Sequence, residues 1–336
     1  MSTGSPYTQK SGISIAMATF EGRVFLEEQF ESLMKQTRQP DELIIYDDAS
    51  SDDTVSLLKK LKTRAPFRVE IIEGTANAGV NHAFGKALAA CRGTYVFFCD
   101  QDDVWEPKKI ERFVAAFERD PAIGLVFCDA SQIDARGRSL PKSLWQQIRF
   151  NSQRRRRFQH DPVGELLRGG NFVYGMAAAF REQSISPFCP INADPRGMTH
   201  DTWLALHVIA TGWQAVALDE KLVRYRRHGR QTTKKDSLSK AVGAQARTAA
   251  RRGQSLALIE ALTRLGHNIS AAPTFRAKRH KAEALRQISS KISHLSLRER
   301  LRDSRNPFLA LRASISAGYW RYAKGPASVL RDLWGI

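Results

Sequence analysis

Three carboxylates fall within four residues at Asp100-Gln101-Asp102-Asp103, directly after the apolar run TYVFFC. Like charges this close repel one another unless a cation sits among them. Hard oxygen donors suit magnesium or manganese, and such an ion commonly shares its other positions with phosphate oxygens. The alternative is a solvated turn in which Asp103 or Glu106 caps the helix opened by Pro107. The apolar run before the cluster and Trp105 after it favour a buried rim. A second pair, Asp47-Asp48, also ends an apolar run. It could bind a uracil or thymine imide or a ribose hydroxyl, or simply cap the next helix. Phe20 offers either a ring for base stacking or a core side chain.

These residues need elements to hold them. Residues 13–18 (ISIAMA), 42–46 (ELIIY), 67–73, 94–99 (TYVFFC) and 124–128 read as short apolar strands. Between them, residues 24–36, 55–64 and 81–91 and a segment opened by Pro107 carry apolar side chains at helical spacing. Strands alternating with helices predict a mostly parallel sheet covered on both faces. Ligands in such sheets bind beyond the carboxyl ends of the strands, so both acidic clusters should open onto one crevice. Further on, residues 149–157 hold five arginines, expected in an exposed connection. Residues 172–180 read as a strand and 199–211 as a helix with Asp201 in its first turn. Residues 215–219 and 222–226 read as closing strands.

Length and composition bound the rest. The 336 residues are 42% apolar and 26% charged, enough for a sizeable core without disulfides. Cys91, Cys99, Cys128 and Cys189 show no zinc spacing, and Cys99 and Cys128, each ending an apolar run, are expected as buried reduced thiols. Residues 1–12 are polar and read as a flexible start with no secretory leader, and no apolar run nears the ~20 residues of a spanning helix. The net charge of +18 is uneven: residues 237–336 hold 19 Lys and Arg against 5 Asp and Glu, and the first 236 hold 33 against 29. A nearly neutral body therefore carries a basic, helically patterned extension, with apolar positions Leu256, Ile259 and Leu262, then Leu285, Ile288, Ile292 and Leu295, then Leu309, Ile315, Trp320, Leu330 and Leu333. Its aromatics Tyr319, Trp320, Tyr322 and Trp334 lie beside Arg321, Lys324 and Arg331, a mixture suited to a lipid headgroup region. Such an extension could instead pack as a plain helical layer. It carries no nucleic-acid motif, and no nucleic-acid partner is expected.

Residues 13–20 (ISIAMATF), 44–53 (IIYDDASSDD), Asn77-Ala78-Gly79 and 97–105 (FFCDQDDVW) together resemble the nucleotide-sugar domain of family-2 inverting glycosyltransferases of the GT-A fold. With His200-Asp201-Thr202-Trp203 and 224–229 (RYRRHG) downstream, the CDQDDVW string is most similar to the rhamnosyltransferase-type branch. The resemblance runs from about residue 13 to 231, which sets a GT-A-type domain at 13–236 and a basic α-helical extension at 237–336. It implies that Ala18, Thr19 and Phe20 line the nucleobase, with Asn77 and Gly79 nearby, and that Asp48 contacts base or ribose. It also implies that Asp100 and Gln101 bind the nucleotide sugar, that Asp102, Asp103 and His228 hold Mn2+ or Mg2+, and that Asp201 is the general base. A dTDP- or UDP-linked donor and a glycan or lipid-linked acceptor on the inner face of a bacterial cytoplasmic membrane are the implied partners. The sequence departs from the commoner pattern in Ala18-Thr19-Phe20-Glu21 and in Asn81-His82, which bears on donor binding. Two rival readings stand beside this one. A nucleotidyltransferase usually needs a Gly- and basic-rich first loop, and residues 18–23 supply one Gly and one Arg. The other is a basic nucleic-acid-binding protein.

Overall fold

Strict alternation in the apolar runs sends neighbouring side chains to opposite faces of a sheet. In β1 (Ile13–Thr19), Ile13, Ile15 and Met17 enter one core while Ala16 enters the other. In β4 (Tyr95–Asp100), Phe97 and Cys99 divide from Val96 and Phe98 in the same way. The computed structural model describes residues 12–169, 171–189, 191, 197–229, 231, 244–273, 278–304, 308 and 320–322.

The other strands are β2 (Glu42–Asp47), β3 (Arg68–Glu73), β5 (Val104–Trp105), β6 (Ile123–Asp134), β7 (Ala178–Arg181) and β8 (Gln214–Arg227). They form one eight-stranded sheet in the order β3-β2-β1-β4-β7-β6-β8-β5. Strands β3, β2, β1 and β4 run parallel, as do β6 and β8, while β7 and β5 pair antiparallel with their neighbours. The chain leaves β1 toward β2 and β3 and returns to its other side at β4, so the strand order reverses at β1. That reversal is where an open α/β sheet forms its ligand crevice.

Helices α1 (Arg23–Met34), α2 (Thr54–Lys62) and α4 (Lys109–Glu118) cover one face with Leu26, Phe30, Leu58, Phe113 and Phe117. The opposite face takes α3 (Val80–Ala90) and α9 (His200–Ala210), through Phe84, Leu88, Trp203 and Leu204. Short helices α5 (Leu144–Gln147), α6 (Ser152–His160), α7 (Pro162–Arg168) and α8 (Glu182–Ile185) fill the connections, with a 3-10 turn at Gly175–Ala177.

Three expectations change. Only the last part of 172–180 is a strand. The two closing strands are one, β8, whose ladder with β6 slips by a bulge near Cys128 and Asp129. Of the arginine run, Arg149, Arg156 and Arg157 are exposed as expected, but Arg154–Arg157 lie in α6 rather than a connection; the Arg154 and Arg157 side chains donate to Glu165, a carboxylate only 2% exposed, and Arg168 joins them. A buried carboxylate needs such partners.

The basic extension is built into the same core. Helices Ala244–Ala271 and Lys278–Ser304 pack on each other, and Ala261, Leu262, Leu265, Ile269, Ala284, Ile288 and Leu295 join the cluster that contains Trp203 and Leu204 of α9. Tyr322 is buried there too, its hydroxyl donating to the Gln287 carbonyl at 3.1 Å. Leu309, Ile315, Tyr319, Lys324, Leu330, Arg331, Leu333 and Trp334 lie outside the described residues. Of the expected apolar positions, Leu262, Ile288 and Leu295 are buried, while Leu256 is 49% exposed.

Leu265 is fully buried at that junction, so Leu265→Ala should lose about 2–5 kcal/mol of stability in urea unfolding. A loss below ~1 kcal/mol would show that the helix is not part of the core.

Candidate active site

Register brings the acidic clusters together. Ala18 pairs with Asp100 and Thr19 with Asp47, so the ends of β2 and β4 flank the end of β1. The buried Thr19 hydroxyl donates to Asp47 Oδ2 at 2.7 Å, and Asp47 Oδ1 accepts the Ser50 N–H at 2.8 Å. Asp47 thereby folds its own loop. Gln101 reaches across to Phe20, accepting its N–H and donating to its carbonyl, both at 2.8 Å. Gly22 makes room for this: a Cβ there would stand 2.1 Å from Gln101 Oε1. The Phe20 ring is left 43% exposed.

Asp48 is buried and accepts two backbone N–H groups, Ala78 at 3.0 Å and Gly79 at 2.7 Å. It therefore positions the Asn77–Ala78–Gly79 loop, where Gly79 adopts φ +91°, a region that glycine enters freely. Asn77 is exposed beside it. One turn on, Asn81 bridges two parts of the molecule. Its Oδ1 accepts the His200 N–H at 2.9 Å and its Nδ2 donates to the Met198 carbonyl at 3.3 Å. The entry to α3 is thus pinned to the entry of α9.

The end of β8 folds over the turn after β4. His228 Nε2 lies 2.7 Å from Asp102 Oδ2, with the side chains 10% and 16% exposed, and the Phe25 ring backs the imidazole at 4.7 Å. Arg226 is buried: its Nε donates to the Asp102 carbonyl at 2.8 Å and its backbone N–H to Asp103 Oδ1 at 2.9 Å. A further guanidinium N–H reaches Glu28, and the group stacks on Phe25 at 4.8 Å. Asp103, the third expected metal ligand, is fully buried; its Oδ1 is engaged by Arg226 and its Oδ2 has no hydrogen-bond partner. Burial, then the charges of Asp102 and Asp100, pushes its carboxyl well above the usual range. Lys109 is buried below, its Nζ 3.3 Å from the Trp105 ring centroid and donating to the Met176 carbonyl. Burial pulls its ammonium down to about 8.

Asp201 enters from the other side, buried in the first turn of α9. Oδ1 accepts the Thr202 N–H at 2.6 Å and the Thr199 and Thr202 hydroxyls; Oδ2 accepts Asn171 Nδ2 and the Gly175 N–H, each at 3.1 Å. The 3-10 turn that donates to Asp201 is the one whose Met176 carbonyl holds Lys109. Burial, then the Asp102 and Asp201 charges, raises Asp100 to about 7, with Lys109 opposing. Asp100, Asp102 and Asp201 therefore share one field, as a crevice at the sheet switch point requires.

Among the described residues no group of three or more His, Cys, Asp or Glu converges on a metal position. Asp102 and His228 supply two donors, one oxygen and one imidazole nitrogen, in contact with each other. That set fits a Mn2+ or Mg2+ ion whose remaining ligands are phosphate and water oxygens. Sequence reasoning missed Arg226, Asn81, Asn171 and Lys109. The RYRRHG string pointed at the first, and the departure at Asn81 marked the second.

An open α/β sheet with an acidic rim at its switch point belongs to the class of α/β proteins that bind their ligands beyond the carboxyl ends of the strands. The model of glycosyl transferase family 2 matches residues 14–185, just over half the chain, and the chain belongs to that family. It is 26% identical over 220 residues to an uncharacterized glycosyltransferase of Nostoc sp., covering 65% of each chain, slightly less than two thirds of that relative. Staphylococcus aureus TarS 1–349 in complex with UDP-GlcNAc superposes with a TM-score of 0.55 at 16% identity, over 96% of this chain and 81% of that one. The mannosyltransferase PcManGT of Pyrobaculum calidifontis, in complex with GDP-Man and Mn2+, gives 0.51 at 16%, over 98% and 88%. These likenesses show the GT-A-type α/β fold with its C-terminal helices.

The raised Asp100 makes a pH prediction. The folded chain keeps a proton that the unfolded chain releases near pH 3.8 and that the folded chain releases near 7. Asp100 thus favours the folded state at low pH, and that contribution is lost as pH rises through this window. In metal-free protein, the Tm of Asp100→Asn relative to wild type should climb from pH 4 to 7 and then level off. A difference independent of pH would show that Asp100 is not held in this field.

Proposed function

We propose that this chain is an inverting, divalent-metal-assisted glycosyltransferase. It moves a sugar, L-rhamnose from dTDP or a hexose from UDP, to a hydroxyl of a bacterial cell-surface glycan or lipid-linked acceptor. The observation that carries the reading is the grouping of Asp100, Asp102 and Asp201 at the switch point, with His228 brought onto Asp102 from the far end of β8. Family membership supports the reaction class. The similarity of the CDQDDVW string to rhamnosyltransferases supports the sugar, while the two structural neighbours carry UDP-GlcNAc and GDP-Man in their complexes.

In this reading, the Phe20 rim and the loop fixed by Asp48, with Ala18, Thr19, Asn77 and Gly79, receive the nucleoside. Gln101 holds the Phe20 backbone in place for it. Asp100 faces ribose and diphosphate. Asp102 and His228 hold the metal, with Asp103 beneath them as the acceptor of Arg226 that fixes the turn. A bound Mn2+ or Mg2+ supplies positive charge against the negative charge that builds on the departing diphosphate. Asp201 takes the proton of the attacking hydroxyl, which is too weak an acid to lose it unaided. Attack opposite the leaving group inverts the anomeric carbon and needs one base, whereas hydrolysis by an inverting glycosidase pairs an acid with a base.

No described helix is long and apolar enough to cross a membrane. We place the protein in the cytoplasm, peripheral to the membrane, held by the basic outer surface of the C-terminal helices. Each Lys or Arg near an anionic surface adds roughly 1 kcal/mol, so the attachment should weaken with salt.

Asp102→Asn should abolish manganese-supported release of nucleoside diphosphate from the donor while the fold survives. Near-wild-type release would remove Asp102 from the metal site. Asp201→Asn should reduce turnover by about 10²–10⁴ yet leave the donor-induced thermal shift intact. Unchanged turnover would disqualify Asp201 as the base.

A further inference from the structure

Asp201 can serve as a base only if one of its lone pairs can meet a substrate hydroxyl, and the structure shows where that lone pair is. Five donors surround the carboxylate. Three converge on Oδ1, and all of them come from the entry to α9: the Thr199 and Thr202 hydroxyls and the Thr202 N–H. Oδ2 has two, the Gly175 N–H and Asn171 Nδ2, both at 3.1 Å. Gly175 is fixed twice over. It belongs to the 3-10 turn that Lys109 grips through Met176, and a Cβ on it would stand 2.7 Å from His200 Nε2. Asn171 is the side-chain donor on Oδ2. It is half-buried, and its own Oδ1 is turned back to accept the Val173 N–H at 3.0 Å. The amide is thus oriented with its N–H toward Asp201, which fixes which end of the side chain faces the base.

We infer that the Asn171 amide occupies the position of the acceptor hydroxyl, a stand-in donor that the acceptor displaces from Asp201 Oδ2. The inference rests on Asp201 being the base and extends it to a positioning residue that guards it. While Asn171 is in place, both oxygens of Asp201 are engaged and water has no vacant lone pair on Oδ2 from which to be activated. An arriving acceptor hydroxyl donates to Oδ2 in place of the amide. Its oxygen then forms the bond to the anomeric carbon and its proton passes to Oδ2. The bond from the anomeric carbon to the diphosphate oxygen breaks, and that electron pair leaves on the nucleoside diphosphate. Water entering the same position would give free sugar and nucleoside diphosphate, a wasteful hydrolysis that the amide suppresses. The half-buried Tyr174, next in the chain to Gly175, lies close enough to Asp201 that burial and then this carboxylate raise its phenol, so the same segment lines the approach to the base.

The test uses the full chain with dTDP-L-rhamnose and UDP-glucose as probes and no acceptor, and follows nucleoside diphosphate release with Mn2+ present. With the donor that wild type turns over, Asn171→Ala should hydrolyse it about tenfold faster than wild type, within the range one positioned base supplies. Asn171→Ser, too short to span to Oδ2, should behave alike and covers a folding failure of the first variant. A crystal structure of either variant should show a water ~2.8 Å from Asp201 Oδ2, where the amide stood. Hydrolysis at or below the wild-type rate in both variants, or Gly175 and its neighbours closing over Oδ2 with no water, overturns the inference. The Asn171→Ala/Asp201→Asn double variant separates the two claims. If the rise vanishes there, Asp201 is its source. If it persists, the assignment of Asp201 as base is what fails. If Asp201→Asn alone abolishes turnover while Asn171→Ala changes nothing, the base stands and the guard does not.

Discussion

Arg226 carries its charge in the interior, and most of the site depends on how that charge is satisfied. Removing a guanidinium from water is expensive unless each part of it finds a partner. Here the partners are the Asp102 carbonyl, the Asp134 carbonyl, Glu28 and the face of Phe25, while the residue's own N–H holds Asp103. One side chain therefore ties the end of β8 to α1, to β6 and to the acidic turn after β4. His228, two residues on, meets Asp102 because of that attachment. The turn and the strand end come from segments more than 120 residues apart, and neither would hold this arrangement alone.

Around that anchor the molecule keeps carboxylates closer together than water would favour. Asp100, Asp102, Asp103 and Asp201 influence one another, and the buried Lys109 offsets part of their repulsion. In the proposed function, a divalent cation held by Asp102 and His228 would offset this repulsion and carry the diphosphate. Hydrogen bonds rather than bulk bring the two sides of the crevice into line. Asp48 sets the loop that opens α3, and Asn81 binds the start of α3 to the start of α9, so the Asn77–Gly79 loop and the helix that carries Asp201 form one frame. The C-terminal helices complete it by covering the outer face of α9.

Much of this was legible in the sequence. Strands β1 to β4 and the helices between them follow from short apolar runs bounded by turn residues, and parallel order alone sends both acidic clusters to one edge. The rest was hidden for physical reasons. Arg226 sits in a string of charged residues, and a charge run reads as solvated surface unless its distant partners are known. The pairing of Arg154 and Arg157 in α6 is hidden in the same way, because the buried Glu165 that receives both lies beyond the run. The closing strands appeared as two because the bulge against β6 interrupts the pattern. The extension's net charge is visible in the sequence, but the partner of its apolar stripe, the outer face of α9, is not. Resemblance pointed to Asp201; its five hydrogen bonds could come only from the folded chain.

In the proposed function, the acidic turn and the end of β8 form one cation-and-diphosphate site. The most direct measurement is anomalous diffraction from crystals soaked with Mn2+ and UDP or dTDP. The account predicts a single strong peak bonded to both Asp102 and His228, with diphosphate oxygens completing its shell. A peak elsewhere, or a nucleotide bound away from this turn with Asp102 and His228 still paired to each other, would contradict it.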